Sequence, residues 1–109
     1  MSPILSQLRH NGYLDAVAVS QLEVFQAAEE FARVEGILPA PESAHAIKAA
    51  IDEALRCRET GERKTILFGL TGTGYFDLSA YQKFHDGEMS DEIPTDEELA
   101  ASFAKLPKF

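Results

Sequence analysis

Several features that would define a function are scarce or missing in this sequence of 109 residues. One cysteine, Cys57, excludes an internal disulfide and favours a reducing, cytoplasmic compartment. No basic stretch followed by an apolar run marks a secretory signal, and no apolar run approaches the roughly 20 residues that span a bilayer. The three histidines, His10, His45 and His85, lack metal-ligand spacing with one another or with Cys57, so we expect no metal site.

Positive charge is also scarce. Ten Lys and Arg stand against 18 Asp and Glu, which gives a net charge of -8 and a pI of about 4.7. A chain this acidic, with no basic stripe, repels nucleic-acid phosphates and anionic membranes, so we exclude both as partners. The remaining composition, 45% hydrophobic and 26% charged, is that of a globular protein, and the length allows one domain or part of one.

Apolar residues at helical spacing occupy much of the chain. Gly36 and Gly61 stand where two of these patterns stop, as glycine commonly does after a helix. Ser20-Gln21-Leu22-Glu23 and Thr95-Asp96-Glu97-Glu98 fit the capping box, in which a hydroxyl and a glutamate satisfy orphan N–H groups at a helix start. We predict helices over residues 3–11, 20–35, 43–60, 77–85 and 95–106.

Two apolar segments predict buried strands. One is residues 14–19, and the other is the nearly continuous apolar run 64–70, with a proline-rich link at 37–41 between them. Strands that alternate with helices are typical of a parallel sheet with right-handed crossovers. The sequence therefore predicts the α/β class, as a fragment of a three-layer parallel-sheet fold. So few strands would leave open sheet edges, which indicates that neighbouring elements are missing.

Residues 35–46 and 70–77 would lie beyond the carboxyl ends of these strands, where ligands bind in open parallel sheets. Thr71-Gly72-Thr73-Gly74 is neither a dinucleotide fingerprint nor a Walker loop, but its glycines would allow close backbone approach to a ligand. An ordinary strand-to-helix turn fits the same residues. Glu42, at a helix start, fits a partner of the helix dipole as well as an active-site carboxylate, and His45 fits a structural histidine.

Together the two segments resemble those of the tryptophan synthase β-chain family. Residues 35–46 are similar to its Glu-Gly-Ile-x-Pro-Ala-x-Glu-Ser-x-His-Ala segment, and residues 70–77 to its later Leu-Ser-Gly-x-Gly-x-x-Asp loop. The resemblance extends over most of residues 1–100. Thr73 and Tyr75-Phe76 stand where the common family loop has Arg and Asp-Lys, which fits the β-like branch of the family.

The resemblance implies a lyase of tryptophan biosynthesis that uses pyridoxal 5′-phosphate, with the fold of type II enzymes. Such enzymes are usually homodimers and join L-serine to indole by β-replacement, giving L-tryptophan. By position, Glu42 matches an active-site glutamate and Thr71 matches the hydroxyl that meets the pyridine nitrogen. Gly72 and Gly74 match the cofactor-binding loop.

Two essential parts of the family pattern have no counterpart in this chain. The Schiff-base lysine and the glycine-rich loop that holds the cofactor phosphate lie far upstream in the family. None of the lysines here sits in a segment that resembles the reactive one; they are Lys48, Lys64, Lys83, Lys105 and Lys108. Covalent catalysis requires that amine.

We therefore expect residues 1–109 to be the C-terminal part of the large cofactor-binding α/β domain, with an acidic linker and terminal helix over 88–109. The chain would be read from an internal methionine and be inactive alone. Two alternatives remain open. One is a stand-alone module that binds phosphate or a nucleotide through Thr71–Gly74. The other is a non-catalytic protein that pairs with a longer β-like chain through its sheet edges.

Overall fold

The computed structural model describes residues 2–91 and 95–106, which fold as helices joined by loops. Residues 92–94, in the predicted acidic linker, and residues 107–109 lie outside the described part. None of the described helices is long and apolar enough to cross a membrane. The helices are α1 (Pro3–His10), α2 (Gln21–Glu35), α3 (Pro41–Thr60), a 3-10 turn (Gly74–Asp77), α4 (Leu78–His85) and α5 (Asp96–Ala104).

The predicted parallel sheet is wrong. No strand forms within residues 2–91 or 95–106, and segments 14–19 and 64–70 have no regular secondary structure. A strand needs a neighbour for its backbone groups, and the described chain places none beside either segment. In segment 64–70, Ile66 and Phe68 are half-buried, whereas Leu67 between them is 95% exposed. The three-layer α/β assignment is therefore replaced by a mainly helical structure.

Most predicted helix ends are confirmed because their signals are local. Gly36 and Gly61 follow α2 and α3 with φ of 71° and 74°, the left-handed region that glycine enters without steric cost. Helix α3 begins at Pro41 rather than at Ser43. Proline suits the first helical turn, where its missing N–H would have no partner in any case.

Of the two predicted capping boxes, one is confirmed and the other is wrong. At α5 the Thr95 hydroxyl accepts from the Glu98 N–H at 3.2 Å, and the Glu98 carboxylate accepts from the Thr95 N–H at 3.0 Å. At α2 the Ser20 hydroxyl instead donates to the Glu23 carboxylate. The N–H of Leu22 is taken by the carboxylate of Asp91, 2.9 Å away and 69 residues further along the chain.

The core joins α2 to α3 and α4. The Phe25 ring lies 5.1 Å from Tyr81, edge to face, and 5.7 Å from Phe84, stacked. Ala28 of α2 and Ala44 of α3 are fully buried in the same cluster. This packing places the start of α3 beside the 3-10 turn and α4, and so brings residues 38–44 next to residues 71–81.

Candidate functional site

The two segments that the sequence singled out, 35–46 and 70–77, are in contact. The Gly74 N–H donates to the Leu38 carbonyl at 2.9 Å. The Tyr81 hydroxyl donates to the carbonyl of Pro39, which is buried, at 2.6 Å. The segments therefore meet through hydrogen bonds between loops and helix ends rather than through neighbouring strands.

Ser43 forms the closest polar link between the segments. Its side chain is buried, and its oxygen accepts from the Thr71 N–H at 3.0 Å. The hydroxyl oxygens of Ser43 and Thr71 are 3.1 Å apart, and the Ser43 hydroxyl also donates to the Thr71 carbonyl. The motif contained Ser43, but sequence reasoning gave it no role because Thr71 is 28 residues away.

The glycines of the loop allow the two segments to approach each other. A Cβ at Gly74 would lie 2.6 Å from Leu38 Cγ and 2.6 Å from the Pro39 carbonyl oxygen. Gly72 has a φ of 72°, and a Cβ there would lie 3.2 Å from that of Ala40. Both glycines are therefore needed for packing within the chain, and their predicted contact with a ligand stays a prediction.

Tyr81 is a buried hydrogen-bond donor beside the site. Burial is the main cause that raises the pKa of its hydroxyl to about 12, and the carboxylates of Glu29, Asp77 and Glu42 add to this effect. The phenol thus stays protonated at neutral pH and keeps its bond to the Pro39 carbonyl. Nothing in the sequence pattern marked Tyr81, because its partner lies 42 residues away.

Glu42 and Thr71 are both exposed. Glu42 lies in the first turn of α3, where its negative charge interacts favourably with the helix dipole. The residue before the helix, Ala40, forms no side-chain cap. Glu42 directly precedes Ser43, so the exposed carboxylate and the exposed hydroxyl belong to one junction. His45 is exposed on the same helix. Among the described residues, no group of three His, Cys, Asp or Glu side chains is arranged to hold a metal.

The loop is poorly suited to an anion. Residues 70–77 contain no Lys or Arg, and Asp77 lies within them. Three backbone N–H groups already have partners inside the chain: Thr71 bonds to Ser43, Gly74 to Leu38, and Tyr75 to the Thr73 hydroxyl at 3.4 Å. This arrangement argues against a stand-alone phosphate-binding module.

No protein-family model matches the chain. Curated proteins from several organisms are similar over most of its length. The tryptophan synthase beta chain 2 of Aquifex aeolicus is 67% identical over 90 residues, and that of Methanosarcina acetivorans is 59% identical over 88 residues. The tryptophan synthase beta chain of Thermococcus onnurineus is 52% identical over 101 residues.

These matches cover 83%, 81% and 93% of this chain, but only 21%, 20% and 22% of the relatives. The chain thus spans about a fifth of the length of the curated relatives it matches, and it corresponds to their C-terminal part.

Proposed function

Because the chain belongs to the tryptophan synthase β-chain family as a C-terminal segment, we propose that it supplies the ring-binding part of a pyridoxal-phosphate site. A longer N-terminal part would supply the reactive lysine and the phosphate loop. The complete protein would join L-serine and indole to give L-tryptophan, and this chain alone would be inactive. The cytoplasmic location and the homodimeric state stay predictions.

The observation that carries the proposal is the junction of the two motif segments. Thr71 is hydrogen-bonded to Ser43, which follows Glu42, so the segments that carry the proposed cofactor-binding and catalytic residues meet at this point. Glu42 would act on the substrate beside the ring. Gly72 and Gly74 would hold Thr71 at the edge of the loop.

The residues present fit the ring of this cofactor, although not its phosphate. Pyridoxal phosphate, when bound, supplies an electron sink for the substrate carbanion. The exposed Thr71 hydroxyl is an uncharged partner for the ring nitrogen, so it does not force full protonation as a carboxylate would. A moderate electron sink favours elimination and replacement. No cation in residues 70–77 is available for the phosphate, which is therefore assigned to the missing part.

Two of the lysines here form ion pairs with carboxylates of α3. The hydrogen bond to Asp52, at 2.6 Å, is the main cause that raises the pKa of Lys48. The hydrogen bond to Glu53 does the same for the pKa of Lys64. Both amines are thus engaged by carboxylates of this chain.

The test is complementation. The purified chain is mixed with the N-terminal remainder of the Aquifex relative, and tryptophan formation from serine and indole is measured with pyridoxal phosphate present. We expect no activity from either part alone and activity from the mixture. A Thr71→Val chain should assemble but give less product, while a Ser102→Ala chain, changed on the exposed α5, should match the unchanged one.

Borohydride reduction provides the opposing outcome. We expect a reduced pyridoxyl adduct on the N-terminal part of the mixture and none on this chain. A stoichiometric adduct at one lysine of the isolated chain would overturn the proposal. The pairing alternative treats this chain as a non-catalytic partner of a longer β-like chain. It predicts instead that this chain binds a full-length relative tightly and does not change the activity of that relative.

A further inference from the structure

We propose that Ser43 is a positioning residue that fixes the direction of the Thr71 hydroxyl, and this inference rests on the proposed role of Thr71 at the cofactor ring. The side chain of Ser43 is buried, whereas Thr71 is exposed, so Ser43 would reach the ring only through Thr71. It acts only through Thr71, across the junction between α3 and the loop.

The hydrogen-bonding capacity of a serine hydroxyl carries the argument. Such a group has one proton to donate and two lone pairs that accept. The Ser43 proton goes to the Thr71 carbonyl, and one lone pair accepts from the Thr71 N–H. Because Ser43 is only 5% exposed, water is a poor competitor for what remains.

The remaining lone pair of the Ser43 oxygen is available to the Thr71 hydroxyl, whose oxygen lies 3.1 Å from that of Ser43. We assign the Ser43 proton to the Thr71 carbonyl, which makes Thr71 the donor in this contact. The Thr71 oxygen then presents its lone pairs outward and acts as an acceptor. Donation to an unprotonated ring nitrogen would require the Thr71 proton to leave Ser43. Ser43 therefore competes with the ring for that proton.

A merely structural Ser43 would support the loop backbone and nothing else. It would affect the Thr71 N–H but leave the Thr71 side-chain rotamer free. The two roles are thus separated by the Thr71 χ1 angle, which three-bond couplings report in an isotope-labelled full chain without any cofactor. Failure of this measurement is distinct from failure of the complementation experiment, which requires an assembled site.

In the unchanged chain we expect one χ1 rotamer for Thr71. Ser43→Ala should average the rotamers and speed exchange of the Thr71 amide hydrogen about fivefold, the effect of losing one net hydrogen bond. Ser43→Thr, which keeps a hydroxyl, should restore both. Ser79→Ala, a matched change at an exposed serine on α4, should alter neither. The same rotamer distribution with and without the Ser43 hydroxyl would overturn the proposal.

A second variant keeps the test decisive if the added methyl of Ser43→Thr is not tolerated. Thr71→Val removes the side-chain donor, while the backbone N–H of residue 71 can still donate to the Ser43 oxygen. We expect exchange of the amide hydrogen at position 71 to be unchanged in Thr71→Val and to speed up about fivefold in Ser43→Ala. Faster exchange in both variants would mean that the two bonds are not independent, and it would contradict the proton assignment.

The assembled complex gives a readout at the ring. With pyridoxal phosphate labelled with ¹⁵N in the ring, Ser43→Ala should lower the pH midpoint of the ring-nitrogen resonance. The freed Thr71 proton would then stabilise the unprotonated nitrogen. Ser43→Thr should keep the midpoint of the unchanged chain. An identical midpoint in Ser43→Ala would overturn the proposal, and the rotamer measurement decides it even where no complex forms.

Discussion

At the residue scale, Gly74 marks the closest approach of the two site segments. Replacement by alanine would place a Cβ within 2.6 Å of the Pro39 carbonyl oxygen, a backbone atom that cannot move aside easily. We expect Gly74→Ala to lower the free energy of unfolding by about 1–3 kcal/mol. Urea denaturation measures this loss.

The matched control is Gly69→Ala. A Cβ at Gly69 meets nothing within 4 Å, and its φ is not in the left-handed region. The control should therefore unfold at nearly the same urea concentration as the unchanged chain. Equal stability of Gly74→Ala and Gly69→Ala would mean that the loop does not pack on residues 38–39.

Tyr81 offers a second test at this scale. Tyr81→Phe removes the donor to the buried Pro39 carbonyl and leaves that oxygen without its partner. We expect the free energy of unfolding to fall by about 1–3 kcal/mol. Tyr75→Phe, changed at an exposed ring, is the control and should have little effect.

The same phenol predicts a pH dependence. Its pKa is raised from 10.0 in an unfolded chain to about 12, first by burial and then by neighbouring carboxylates. Between these values the unfolded chain loses its proton and the folded chain does not, so stability falls as pH rises from about 10 to about 12. The shift of 2 units corresponds to roughly 2–3 kcal/mol.

Denaturation at several pH values, compared with Tyr81→Phe, isolates this effect. The advantage of the unchanged chain over Tyr81→Phe should be full below pH 10 and should shrink as the pH rises to about 12. A constant difference across this range would contradict the raised pKa.

At the scale of elements, the helices could be predicted from sequence and the strands could not. Gly36, Gly61 and Pro41 act on the residues next to them, so their signals survive without tertiary contacts. The sequence pattern of the apolar run 64–70 fits a buried strand. A strand forms only beside a partner strand, however, and the described chain places no partner next to this run. Ile66 and Phe68 of this run face α2 and α3, and the Lys64 amine bonds to Glu53 of α3.

The start of α2 shows the same dependence on distant contacts. Asp91 accepts from the Leu22 N–H, whereas the Ser20 hydroxyl donates to an exposed carboxylate. We expect Asp91→Ala to cost about 0.5–2 kcal/mol of stability, the usual effect of losing a helix cap. Ser20→Ala should cost less.

Thermal melting of both variants checks this order. Asp91→Asn, which keeps an accepting oxygen, should recover most of the stability lost in Asp91→Ala. A larger loss of stability in Ser20→Ala than in Asp91→Ala would support the local capping box that the sequence predicted, rather than the Asp91 contact.

The candidate site was predictable as two segments but not as a set of contacts. Family resemblance brought Glu42 and Thr71 together, and the structure places their segments in contact. Ser43 and Tyr81 were missed as contributors because each acts through a partner 28 or 42 residues away. Spacing along the chain carries no signal for such bonds.

At the scale of the whole molecule, large apolar side chains remain uncovered. Leu67 is 95% exposed, Phe76 89% and Val17 77%. The N-terminal part proposed above would cover such side chains, since contacts between polypeptides bury exposed apolar surface. We predict that the isolated chain binds a hydrophobic dye with strong fluorescence, and that the N-terminal remainder of a relative reduces this signal in proportion to the amount added.

An unrelated protein that does not itself bind the dye, added at equal mass as the control, should not lower the signal. A dye signal that stays unchanged at excess N-terminal remainder would mean that the exposed residues are not covered in the complex.

The contacts between residues 38–43 and residues 71–81 join the two ends of the chain segment that contains α3. A protease that cuts the exposed stretch 62–65 would therefore leave two peptides that do not separate, since the Ser43, Gly74 and Tyr81 bonds and the Phe25 ring contacts all cross the cut. The nicked chain should migrate as one species under native conditions and as two in denaturant. New termini introduced there would give a split protein whose halves find each other through the candidate site.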